Sequence, residues 1–270
     1  MSGSPMHPQS QSELPAPSGR GRVRIGHVAI DSLRFDEAID AVEELVSKGE
    51  GGVVFTPNVD HIVLAEEDAE FRAAYAAADL SLVDGAAVLW AARALGVPLP
   101  AKVSGSDLLG PLIARAAERG WRVYLLGAAP GVAARAKEVL EREHPGLQVV
   151  GTSAPDVGLS MSREAEDSIL EPVRAARPHL LFLALGAPKQ EVWAHRVRDR
   201  VRPAVILGVG ASLDFVAGTA KRAPRWISEA GFEWLYRLLH EPRRLWRRYL
   251  VRDPRFLAIV LREAAARRRG

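Results

Sequence analysis

Asp84 stands where an apolar run, Leu80–Val83, ends, and Gly85 beside it leaves the backbone open to a close approach. A carboxylate in such a place can take a proton from an attacking hydroxyl, work worth about 10²–10⁴ in rate. It can also do no more than cap the next helix. Thr56 and Asn58 bracket Pro57 after the run Gly52–Phe55. Their side chains suit sugar hydroxyls or an acetamido group, or a turn that closes on its own backbone. Gly127 opens the stretch Gly127–Gly131 between a strand and a helix. Its free N–H groups and the helix dipole can face a phosphate, or the stretch is an ordinary connection. Lys189 and Gln190 arrive together in the first turn of a helix after Gly186-Ala187-Pro188. The Gln190 amide offers donor and acceptor at once, as a sugar ring requires, while Glu191 supports the helix N-terminus. Lys102 and Asp107 flank Ser104-Gly105-Ser106; the lysine neutralises a phosphate as a point charge or stays solvated. Asp214, after Gly208-Val209-Gly210, fits a ribose or base edge, or a helix cap.

Several chemistries are missing from the chain. There is no cysteine, hence no disulfide, thiolate metal site or thiol nucleophile. Seven histidines are scattered without paired spacing, and no Asp-x-Asp occurs, so no metal is expected. Neither GxGxxG nor a Walker loop is present. If a diphosphate leaves in a reaction here, backbone N–H groups and Lys or Arg must carry its charge.

These groups need a frame that gathers them. Apart from Lys102 and Asp107, which belong to a loop before a helix, each follows one of five strand-like runs that hand over to a helical pattern, and in a parallel sheet such handovers share the carboxyl edge, where open α/β folds bind ligands. Strands alternating with helices of 10–15 residues predict βαβ units and a mostly parallel sheet. Val23–Ile30 reads as one opening strand. Helices are expected at Asp36–Ser47, at Ile62–Glu67 with Asp60 as cap, at Phe71–Ala78 and at Ala86–Leu95. Another is expected at Leu108–Arg119, capped by Ser106 or Asp107. Residues 1–22, rich in Pro, Ser and Gln, read as a disordered tail. No apolar run approaches the roughly 18 residues of a membrane span.

The net charge of +3 conceals a split. Residues 221–270 hold 14 Lys and Arg against 5 Asp and Glu, a net of +9; residues 1–220 hold 22 against 28, a net of −6. Trp234, Leu235, Leu245, Trp246 and Tyr249 are interleaved with these arginines, and Pro224, Pro242 and Pro254 cut the segment into short helices. That is a basic, amphipathic appendage with an acidic partner, a membrane or a nucleic acid.

Seven stretches in order resemble the WecG/TagA/CpsF family of bacterial glycosyltransferases: TPNVDHIVLA (56–65), ADLSLVDGAAVLWAAR (78–93), KVSGSDLL (102–109), YLLGAAPGVA (124–133), LALGAPKQEVWAHR (183–196), GVGASLDFVAGTAKRAPRW (208–226) and GFEWLYRLLHEPRRLWRRYL (231–250). The resemblance implies a Rossmann-like core at 23–225, helices on both faces of its sheet, and a membrane-binding appendage at 226–270. It implies an inverting, metal-independent and cofactor-free transferase. Such an enzyme moves an N-acetylmannosamine-type hexose, or its uronic acid, from a UDP-sugar to a sugar on undecaprenyl diphosphate. It works in surface polysaccharide or teichoic acid synthesis, in the cytoplasm at the inner face of the cell membrane, and a homo-oligomer is compatible with it. In that pattern Asp84 matches the general base, and Thr56, Asn58 and Gln190 match substrate-pocket positions. Arg237, Arg244 and Arg247 match arginines that reach the acceptor diphosphate. Lys102 stands where the family usually has arginine, keeping the charge but losing the bidentate fork. A UDP-glucose-type donor is the nearest variant. A nicotinamide oxidoreductase would need the missing GxGxxG and its acidic partner. A lipid- or RNA-binding module would leave Asp84 and Gln190 without a purpose, and nucleic acid is not the expected partner.

Overall fold

The computed structural model describes residues 21–224, 227 and 231–268, so residues 1–20 of the expected tail, and Trp226, lie outside it. The stretch read as one opening strand is a hairpin. β1 (Arg22–Ile25) and β2 (Val28–Asp31) pair antiparallel, because Gly26 takes a left-handed φ of 59° and reverses the chain. The hairpin forms its own two-stranded sheet beside the main one.

The main sheet has six strands: β3 (Gly52–Phe55), β4 (Leu80–Ser81), β5 (Arg122–Gly127), β6 (Gln148–Ser153), β7 (Leu180–Ala184) and β8 (Val205–Gly208). They run parallel in the order β4-β3-β8-β7-β5-β6, so all their carboxyl ends share one edge. Side chains alternate between the faces. Val54, Leu125, Phe182 and Leu207 enter one hydrophobic cluster; Phe55, Leu126, Leu183 and Ile206 enter the other. Burial on both sides is why these strands are continuously apolar rather than alternating.

The helices are α1 (Phe35–Lys48), α2 (Val59–Glu67), α3 (Ala69–Ala76), α4 (Ala86–Ala94), α5 (Gly105–Arg119), α6 (Val132–Glu143), α7 (Arg163–Ala176), α8 (Lys189–Val197) and α9 (Ser212–Val216). α1, α5, α6 and α9 cover one face; α2, α3, α4, α7 and α8 cover the other. This is the Rossmann-like α/β arrangement that the handovers imply. Two caps differ from expectation. Asn58, not Asp60, caps α2 by accepting from His61 N at 3.3 Å, and Asp60 lies within the first turn. Ser104 caps α5 and accepts from Asp107 N at 3.1 Å, ahead of both Ser106 and Asp107.

The C-terminal segment follows as α10 (Glu233–His240), α11 (Pro242–Arg247), a π-helical turn (Arg248–Arg252) and α12 (Arg255–Arg267). Pro242 starts α11, where its missing N–H costs nothing. Phe256 and Ile259 of α12 are buried in the second cluster, against α2 and β1.

Candidate active site

β4 ladders for two residues only, but the chain stays extended beyond it. Leu82 N donates to Phe55 O at 2.8 Å and Asp84 N to Pro57 O at 2.9 Å. These bonds seat Asp84 directly beside the Thr56–Asn58 segment. Gly85, with φ 97°, is the N-cap of α4, so Asp84 stands one residue before the cap position rather than in it. It faces a cavity of about 380 Å³. Asn58 and Lys102 reach the cavity from the core; Glu233, Trp234, Arg237 and Tyr249 reach it from the appendage.

Burial pushes the Asp84 carboxyl up to about 6 and the Glu233 carboxylate adds to this, while Lys102 and Arg237 pull the other way. The group keeps partial solvent access through the cavity. It is therefore ionised at neutral pH yet an appreciably stronger base than a surface aspartate. Lys102 is 3.7 Å from Asp107 Oδ2 and 3.9 Å from Glu233 Oε2. Arg237 donates to Glu233 Oε1 at 2.5 Å, and its guanidinium lies over the Phe215 ring.

Arg248 also lines this cavity. Its Nη2 donates to Asn58 Oδ1 at 3.1 Å and its Nε lies 3.3 Å from Asp60 Oδ2, while Arg252 donates to Asp60 Oδ1 at 3.0 Å. The appendage is thus closed over the pocket by ion pairs to α2. Arg247 points outward over the Trp246 ring instead, and the Arg244 side chain lies outside the described residues. Sequence reasoning missed Arg248 and Glu233. No helical phase singles out the arginine, because the chain breaks at Pro242 and turns π-helical from Arg248.

A second cavity, of about 390 Å³, opens farther along the same sheet edge, beyond β8. Lys189, Asp214, Asp156, Gly210 and the Ala128–Ala129 turn line it. Gly127 itself is buried. A Cβ there would come within 2.6 Å of Ala184 O, so glycine is required by the close passage of β5 and β7. Gln190 is buried between the cavities; its Oε1 accepts from Gly210 N at 3.1 Å and its Nε2 donates to Glu191 Oε1 at 2.9 Å. It packs so tightly on Gly208 that a Cβ there would meet Nε2 at 2.4 Å. In this structure Gln190 fixes the loop between the cavities. Thr56 lines neither cavity and sits beside the first turn of α5 at Gly105.

Among the described residues no group of three His, Asp or Glu is placed to hold a metal ion, and no helix is long and apolar enough to cross a membrane.

Comparison with known proteins supplies an identity for this arrangement. Residues 23–270 match the family described as Glycosyl transferase WecG/TagA/CpsF family. An N-acetylglucosaminyldiphosphoundecaprenol N-acetyl-beta-D-mannosaminyltransferase of Bacillus spizizenii strain W23 is 34% identical over 221 residues, 82% of this chain and 83% of that protein. A protein of the same description from Bacillus subtilis strain 168 is 30% identical over 213 residues, 79% of this chain and 80% of the relative.

Proposed function

The chain belongs to the WecG/TagA/CpsF family of glycosyl transferases, and on that premise we propose that it transfers an N-acetylmannosamine-type hexose from a UDP-sugar to a sugar on undecaprenyl diphosphate. The observation that carries this reading is Asp84, a partly desolvated carboxylate in a cavity that also holds Lys102 and Arg237. The acceptor hydroxyl attacks the anomeric carbon from the face opposite the nucleotide, Asp84 takes its proton, and the configuration inverts. The second, polar cavity suits the UDP moiety. Asp214, Lys189 and the backbone at Gly210 line it, and in this reading Lys189 and the N-terminus of α8 meet the charge on the departing β-phosphate. Cationic side chains and helix N–H groups then serve where other transferases use a metal. Asn58 borders the sugar position, and Arg237 serves the acceptor diphosphate.

The acceptor is a lipid, which accounts for the surface around the first cavity. Trp234 and Leu257 line it, and Trp246, Leu250 and Leu261 are exposed on the same appendage among arginines. A surface both apolar and basic fits the inner face of the cell membrane, with the appendage holding enzyme and acceptor together. The test is UDP release from a panel of UDP-sugars with a short-chain lipid-diphosphate-N-acetylglucosamine acceptor, with and without EDTA. We expect turnover with the N-acetylmannosamine donor, insensitive to EDTA and lost in Asp84→Asn; turnover that survives Asp84→Asn refutes the mechanism.

A further inference from the structure

The appendage brings an acid to the site as well as cations. Glu233, in the first turn of α10, lines the cavity together with Asp84, Lys102 and Arg237. One of its oxygens takes the Arg237 guanidinium at 2.5 Å and the other lies 3.9 Å from the Lys102 ammonium. A single carboxylate thereby ties a cation of its own helix to a cation of the core. We propose that Glu233 is a positioning residue for the transfer: it holds Lys102 and Arg237 in the base's cavity and couples the Asp84 carboxylate to a docked α10.

The inference rests on Asp84 being the base. Burial is the largest reason its carboxyl holds a proton up to about 6, and among the charges Glu233 is the strongest in that direction. Lys102 and Arg237 oppose it, and Asp107, on α5, adds a smaller push. Arg248 and Asp253 line the same cavity from the turn before α12, and Tyr75 on α3 is within reach of the Asp84 charge. Docking of α10 therefore delivers Glu233 and Arg237 together: the arginine keeps the base ionised, and the glutamate keeps it basic. A base with a higher proton affinity takes the acceptor proton faster once it is ionised.

The experiment is the pH profile of kcat/KM, between about pH 5 and 9, for the full chain and for Glu233→Gln, Glu233→Asp and Asp84→Asn. The glutamine keeps an amide oxygen for Arg237 and removes only the charge. We expect its acid limb to move to lower pH and its plateau to fall about 3–10-fold, while Glu233→Asp keeps the limb of the parent. An unmoved limb in Glu233→Gln overturns the inference, whatever the plateau does. If Glu233→Gln does not fold, Lys102→Met gives the same reading with the opposite sign, since it removes an opposing charge; a limb that does not rise then overturns it. Asp84→Asn that remains active sinks the base assignment and this inference together. An inactive Asp84→Asn with an unmoved Glu233→Gln limb sinks the inference alone.

Discussion

Arg248 reaches back 190 residues along the chain to Asn58, its Nη2 donating to Oδ1 at 3.1 Å. Asn58 already caps α2 through the same oxygen, so the helix start beside Asp84 is fixed in part by the appendage. The same guanidinium lies 3.3 Å from Asp60, whose carboxylate is almost wholly buried and is shared with Arg252. Docking of the appendage and order in the pocket wall are consequently one event.

Removing the Asp60 charge should therefore loosen the appendage selectively. Asp60→Asn takes from Arg252 and Arg248 the carboxylate they share and leaves Arg248 only Asp253, 4.0 Å away. A fully buried pair broken in this way costs about 3–5 kcal/mol. Because Arg248 and Arg252 are partly exposed, we expect about 1–3 kcal/mol. Hydrogen exchange should rise across α10 to α12 and stay unchanged in β5 and β7. Equal loosening of both regions, or of neither, would contradict the latch.

Asp84→Asn separates activity from stability. We expect kcat to fall by about 10²–10⁴ while the protein becomes more stable at neutral pH. The folded-state carboxyl is raised to about 6 from its ordinary 3.8. The folded state therefore binds more protons than the unfolded one between those values, and stability declines as pH rises through that window. The ionised group costs the fold about 1–3 kcal/mol above it. Melting temperatures of parent and variant should coincide below about pH 4 and diverge above pH 6. A variant less stable than the parent at pH 7 would mean that the carboxylate is held by favourable contacts instead.

Much of this arrangement was legible in the chain because strand and helix periods are local. The five handovers mark the sheet edge, and Asn58 and Asp84, which follow two of them, stand together at one cavity. The hairpin was not legible: Gly26-His27 interrupts an apolar run too briefly to show as a break. Nor were the caps, since Ser104, Ser106 and Asp107 are all cap-forming types within four positions. The contribution of Arg248 and Glu233 depends on a contact between distant segments, for which no local pattern exists. Gln190 illustrates the converse: its type suited a sugar, yet packing on Gly208 and a bond to Gly210 occupy it.

Glu191 offers a second pH test, away from the cavities. Burial pushes its carboxyl up to about 7 from 4.5, against the hydrogen bond from Gln190, and its Oε2 has no hydrogen-bond partner among the described residues. The folded state again takes up protons that the unfolded state does not, so wild-type stability falls as pH rises between those values. Glu191→Gln keeps an oxygen for the Gln190 amide and removes the charge. We expect it to raise the melting temperature at pH 8 by several degrees, ~1–3 kcal/mol, and to have little effect at pH 4.5. A gain that is the same at both pH values would show that ionisation of Glu191 is not what burdens the fold.

Membrane attachment can be tested without disturbing the core. Phe256 and Ile259 of α12 are buried, so deleting the appendage would strip a face of the second hydrophobic cluster and confuse unfolding with loss of binding. Leu257 and Leu261, one turn apart on the same helix, are 64% and 61% exposed and can be changed instead. Each leucine entering the interface contributes in proportion to the apolar area it buries, ~1 kcal/mol or more. Leu257→Ser with Leu261→Ser should therefore weaken binding to vesicles containing phosphatidylglycerol by at least ~10-fold. The melting temperature should stay within a degree or two of the parent, since neither side chain is in the core. Raising the salt should weaken both proteins further by screening the arginines. Binding that is lost in high salt but indifferent to the two leucines would assign attachment to charge alone and leave the exposed apolar face of α12 without a part in it.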